Sequence, residues 1–149
     1  MRKSGFFFVA PVVLLSLAIS AALLAQDQKF PSQGERAKAV NVVRLINTAE
    51  VTYNMGSKKG ATDGHGRYAS WDDLYRSGAV QSVQDRWAMV KDLQLSAGPE
   101  VIPGYRLDLI VSPDGQSYSI ALHDKKEGDG LFSVFSDSTG IIYWGAPLQ

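Results

Sequence analysis

Hydrophobic positions along the chain fall into three regimes: an unbroken apolar run, then a stripe with helical spacing, then strict alternation. The apolar run covers residues 6–25, contains no ionisable side chain and follows Arg2 and Lys3. Its 20 residues suffice to cross a bilayer core as a helix and exceed the roughly 7–15 apolar residues of a cleaved export signal. Ser20, Ala21, Ala22 and Ala25 also place small residues where signal peptidase cuts, after Ala22 or after Ala25. Residues 1–25 therefore read as a membrane anchor or a cleaved signal peptide. Either way the two basic residues stay on the cytoplasmic side and the rest of the chain faces outwards. Pro11 is tolerated in such a segment.

Residues 26–32 are polar apart from Phe30, and Pro31 disfavours helix at the residue before it, so they read as a linker to a globular domain over 33–149. Ser32 and Glu35 have capping-box spacing, which predicts a helix start. Ala39, Val42, Val43, Ile46, Ala49 and Tyr53 then recur at steps of three and four, with Lys38, Asn41, Arg44 and Thr48 on another face. Gly56 is the expected stop. Residues 56–68 hold four glycines and no apolar period, which predicts an exposed loop. Ser70 can cap a short helix whose first turn carries Asp72 and Asp73 and which Gly78 ends. Residues 80–95 fit neither period.

Alternation takes over in the last third. Tyr105, Leu107, Leu109 and Val111 alternate with Arg106 and Asp108, Ser112-Pro113-Asp114-Gly115 supplies turn chemistry, and Tyr118, Ile120 and Leu122 alternate again. Two further short runs, at 131–135 and 140–144, flank Ser136-Asp137-Ser138-Thr139. The pattern predicts an α+β domain in which one long N-terminal helix packs on an antiparallel sheet of about four strands. No internal repeat or low-complexity tract is present.

Composition narrows the options. The chain has 149 residues, 45% of them hydrophobic and 20% charged, which is enough for one packed domain and not for two. Fifteen basic and fifteen acidic residues cancel, so there is no field to attract nucleic acid. The absence of cysteine removes disulfides, thiolate metal sites and cysteine nucleophiles.

Two blocks carry a resemblance: Ala39-Val40-Asn41-Val42-Val43-Arg44-Leu45-Ile46-Asn47-Thr48-Ala49-Glu50-Val51-Thr52-Tyr53, and Phe132-Ser133-Val134-Phe135-Ser136-Asp137-Ser138-Thr139-Gly140-Ile141-Ile142. Together with Gly104-Tyr105 at the first strand, they resemble bacterial type IV pilin-like proteins and the pseudopilins of type II secretion. The resemblance implies a helix on an antiparallel sheet, no enzymatic activity, no cofactor, and a working surface made of contacts with other protein subunits of a pilus or secretion assembly. Lys3-Ser4-Gly5-Phe6 looks like a prepilin junction, with cleavage between Gly5 and Phe6. Ala10 stands where such proteins carry a glutamate, and Pro31 and Gly34 interrupt what would be a continuous helix.

Few residues offer chemistry. His65 and His123 are the only histidines, and neither has a partner at ligand spacing in the sequence. Asp124, Glu127 and Asp129 are weak calcium candidates: they lack EF-hand spacing, but some pseudopilins hold calcium in a C-terminal loop. Trp71, Trp87, Tyr105, Phe132 and Trp144 read as packing aromatics. The leading expectation is a non-enzymatic structural or assembly protein on the periplasmic side of a bacterial inner membrane, held there by residues 6–25 if they are not cleaved. The other is a soluble periplasmic or secreted binding module that recognises a partner or ligand through the 56–68 loop.

Overall fold

The computed structural model describes residues 31–125 and 132–145. The apolar run, its processing candidates Gly5, Phe6, Ala22 and Ala25, and the calcium candidates Glu127 and Asp129 lie outside the described residues. Among the described residues, no helix is long and apolar enough to cross a membrane.

Helix α1 spans Gln33–Lys58 and begins at the predicted capping box. The Glu35 N–H donates to Ser32 Oγ at 3.2 Å, and the Ser32 N–H donates to Glu35 Oε2 at 2.8 Å, so two otherwise orphaned donors are satisfied. The stripe Ala39, Val42, Val43, Ile46 and Ala49 is buried, joined by Leu45, Asn47 and Glu50. Gly56 does not end the helix. One more half-turn forms, and the Lys59 N–H closes it on the carbonyls of Gly56 and Ser57.

Helices α2 (Trp71–Arg76) and α3 (Ala79–Gln84) follow. Ser70 caps α2 by accepting from the Asp73 N–H at 3.2 Å, with Asp72 and Asp73 in the first turn as predicted. Gly78, at φ 79°, turns the chain from α2 into α3, a left-handed conformation in which glycine carries no Cβ penalty. Helix α3 accounts for part of the stretch with no readable period, since Ala79, Val80 and Val83 are buried over a single turn and a half.

Among the described residues five strands follow: β1 (Glu100–Ile102), β2 (Tyr105–Val111), β3 (Tyr118–Asp124), β4 (Ser133–Asp137) and β5 (Ile142–Gly145). They pair antiparallel in sequence order. The α+β architecture of one long helix on an antiparallel sheet is therefore as expected, but the described residues form five strands where about four were predicted. The additional strand is β1, whose three residues are too few to show alternation and end against Pro103-Gly104.

Register fixes the two faces of the sheet. Leu107, Leu122 and Val134 form one row towards α1, and Leu109, Ile120, Ser136 and Ile142 form the next. Helix α1 covers this inner face with one flank and packs against α2 and α3 with another. The opposite face of the sheet has no helix over it among the described residues.

Candidate functional site

The outer face of the sheet is built by the residues that alternate with the core. Asp108, Ala121, Phe135 and Tyr143 form its central row across β2, β3, β4 and β5, with Ile110, Ser119 and Asp137 in the row beside it. Ile110 is 66% exposed, Tyr143 59% and Phe135 42%. They surround a shallow depression of about 320 Å³ floored by Ala121 and edged by Asp108 and Asp137. A strand residue that faces water is ordinarily polar, so three large apolar side chains in one patch set this face apart.

Polar residues close one side of this patch. His123 Nδ1 lies 2.8 Å from Ser133 Oγ, and its Nε2 lies 3.4 Å from Asp108 Oδ2, which also receives a 3.0 Å bond from Arg106. The expectation that His123 has no convergent partner is thus corrected: cross-strand register places Arg106, His123 and Ser133 in a single row. Ser133, His123 and Asp108 have the residue types of a catalytic triad but not its accessibility. Ser133 is 6% exposed, so the arrangement links three strands and leaves little approach to the hydroxyl. His123 also meets the edge of Phe135, with ring centroids 6.0 Å apart.

His65 behaves differently. It is exposed in the segment after α1, where its backbone N–H donates to Asp63 Oδ1 at 3.0 Å. The glycine-rich segment is not a free loop throughout. Its second half docks on the β2–β3 turn: the Tyr68 N–H donates to the Gly115 carbonyl at 2.9 Å, and Arg67 reaches the Asp114 carbonyl and Asp63. Gly66 is buried against Asn54, and Gln116 Nε2 donates to its carbonyl at 3.0 Å. Recognition through the whole loop therefore loses the half that is committed to folding.

Asp124 is buried at the end of β3, opposite Tyr105. Burial pushes the Tyr105 hydroxyl up to about 12, with the charges of Asp124 and Glu35 acting in the same direction. Among the described residues, no cluster of three metal-ligating side chains forms.

Three of the five aromatics expected in packing, Trp71, Tyr105 and Phe132, are buried, and Trp87 is half-buried against the core. Trp144 is corrected: it is 60% exposed, because it sits on β5 at the edge of the sheet with no further strand beside it among the described residues. Its ring tilts against Phe132 at a centroid distance of 6.1 Å, and the Arg36 guanidinium lies over it at 5.9 Å. Together with α1, these two aromatics form a groove of about 420 Å³ lined by Gln33, Arg36, Ala37, Val40, Asn41 and Arg44.

One ionisable group buried in the core escaped the sequence reading. Glu50 has no exposed surface; its Oε2 accepts from the Ala69 N–H at 3.0 Å, and its Oε1 has no hydrogen-bond partner. Burial raises its carboxyl to about 7, partly offset by the Ala69 bond. No protein-family model, curated protein or solved structure matches the chain.

Proposed function

We propose that this protein is an exported, pilin-like structural or assembly component that works through contacts with other proteins and carries out no reaction. The single observation that carries the reading is the uncovered apolar face of the sheet, where Ile110, Phe135 and Tyr143 stand in solvent around Ala121. A patch of this kind costs solubility in an isolated subunit and is explained when another protein surface covers it. The apolar run at residues 6–25 supports export, and the helix-on-sheet order agrees with the resemblance to pilin-like heads. The residues that could carry chemistry support the same reading, since His123 and Ser133 are engaged in a cross-strand row.

Photocrosslinking in native cells tests this. A benzophenone side chain at position 110 or 135 should give adducts with identifiable exported proteins or with a second copy of the chain. The same group at Arg86, an exposed position outside the sheet, should not. Equal yields from all three positions, or none from 110 and 135, would count against the outer face as a working surface. The N-terminal residue of the mature protein separates the two forms of the proposal. Phe6 indicates prepilin processing, whereas Leu23 or Gln26 indicates release by signal peptidase as a soluble binding module.

A further inference from the structure

The groove between α1 and β5 differs from the outer face in charge and in backbone chemistry. Along α1, Gln33, Arg36, Ala37, Val40, Asn41 and Arg44 follow one another at helical spacing, so two guanidinium groups, two carboxamides and two aliphatic side chains share one flank. Phe132 floors the groove and Trp144 forms its outer wall. Among the described residues, no carboxylate lines it, and neither Arg36 nor Arg44 forms an ion pair. In a chain with equal numbers of acidic and basic residues, that is a local excess of positive charge over an apolar floor.

The wall of the groove is also a sheet edge. Strand β5 pairs with β4 alone among the described residues, and in an antiparallel ladder alternate residues turn their N–H and C=O groups away from the partner strand. The usual guards of an exposed edge are lysine, proline or an inward-pointing charge, and Ile142-Tyr143-Trp144-Gly145 contains none of them. A strand added here would lie about 4.8 Å beyond β5, and every second side chain would point into the groove. Trp144 belongs to the inward-facing row with Val134 and Leu122, which sets the side from which those side chains would enter.

We propose that β5 and the arginine-lined groove form a binding site for an extended acidic segment of a partner protein, which adds as a sixth strand and directs alternate carboxylates at Arg36 and Arg44. Charge complementarity selects an acidic occupant, because guanidinium groups pair with carboxylates through two parallel bonds. The open backbone edge selects an extended peptide over an anionic membrane surface, because a lipid headgroup cannot continue the ladder. The inference rests on the reading above only in taking proteins as the partners, and it uses a different surface.

The test uses the full chain in neutral detergent and three fluorescent eight-residue peptides, alternating valine with glutamate, with lysine or with serine. The valine–glutamate peptide should bind, and the valine–lysine peptide should not. Arg36→Glu with Arg44→Glu should weaken binding at least tenfold. N-methylation of alternate backbone nitrogens in the valine–glutamate peptide, which keeps its charges, should weaken it comparably. Equal binding of the lysine peptide, or undiminished binding of the N-methylated one, overturns the proposal. So does arginine-dependent attachment to phosphatidylglycerol vesicles without peptide binding. Adducts at positions 110 and 135 without peptide binding would sink this site alone, and the reverse pattern would sink the outer-face reading alone.

Discussion

Asn47 on α1 and Ser136 on β4 are 89 residues apart in sequence, yet the Asn47 Nδ2 donates to Ser136 Oγ at 2.8 Å in the centre of the helix–sheet interface. The Asn47 Oδ1 accepts from the Tyr118 hydroxyl at 3.0 Å, and the Ser136 hydroxyl donates to the Ile141 carbonyl at 2.9 Å. One carboxamide thus joins the helix to β3, β4 and the turn before β5. A buried polar chain of this kind fixes the rotation of α1 over the sheet, because sliding the helix leaves several groups unpaired at once.

Asn47→Ala should therefore destabilise the domain by about 2–3 kcal/mol, more than the lost volume alone would give, since the Tyr118 hydroxyl loses its acceptor in the core. Tyr118→Phe combined with Asn47→Ala should cost less than the sum of the two single changes, because the second removes the group that the first leaves stranded. Urea denaturation of the four proteins checks this, and strict additivity would contradict the network.

Glu50 supplies a pH dependence whose sign follows from its environment. Its carboxyl titrates near 4.5 when unfolded and near 7 when folded, so the folded state holds the proton more tightly. The contribution is complete below about pH 4.5 and is lost as pH rises through about 7. Each unit of difference is worth about 1.4 kcal/mol. The groups around it are the Ala69 N–H, to which it bonds, and the Tyr118 hydroxyl, pushed upward by burial and secondarily by the Glu50 charge. Glu50→Gln should flatten the stability profile between pH 4.5 and 7 and leave the protein more stable than the parent at pH 8. A profile unchanged by the substitution would remove Glu50 as its source.

Gly66 is constrained by proximity and not by its dihedral angle. A Cβ there would overlap both the side chain and the backbone carbonyl of Asn54, and the carbonyl belongs to α1 and cannot swing aside. Gly66→Ala should cost about 1–3 kcal/mol, the range for forced overpacking. Gly64→Ala, in the same segment with open space around it but φ at 70°, should cost about 1 kcal/mol from backbone strain alone. Thermal melts of the two variants should rank in that order.

Local chemistry makes much of the fold legible in the sequence. Ser32 and Glu35 announce the start of α1, the spacing from Ala39 to Ala49 gives its buried face, and Ser112-Pro113-Asp114-Gly115 sets the register of the central hairpin. The omissions depend on chain elements that meet only after folding. Glu50 follows Ile46 by four residues and precedes Tyr53 by three, which puts it on the predicted buried stripe; what the spacing does not show is its partner, because the segment ending in Ala69 meets α1 only after folding. Trp144 reads as a packing aromatic, and its exposure follows from β5 being an edge strand among the described residues. The association of His123 with Asp108 was within reach, because the hairpin register already places His123 opposite Arg106, in the row next to Asp108. Its bond to Ser133 required the β3–β4 pairing, which no turn signal fixes.

The central claim is that the helix-on-sheet domain works outside the cytoplasmic membrane through protein contacts. Its most direct test is protease added to spheroplasts of the native cells, with the domain followed by an antibody. The account predicts that the domain is digested, or already released to the medium, while a cytoplasmic marker stays intact. A domain that remains cell-associated and protected until the spheroplasts are lysed, although the purified protein is readily cleaved, would contradict it.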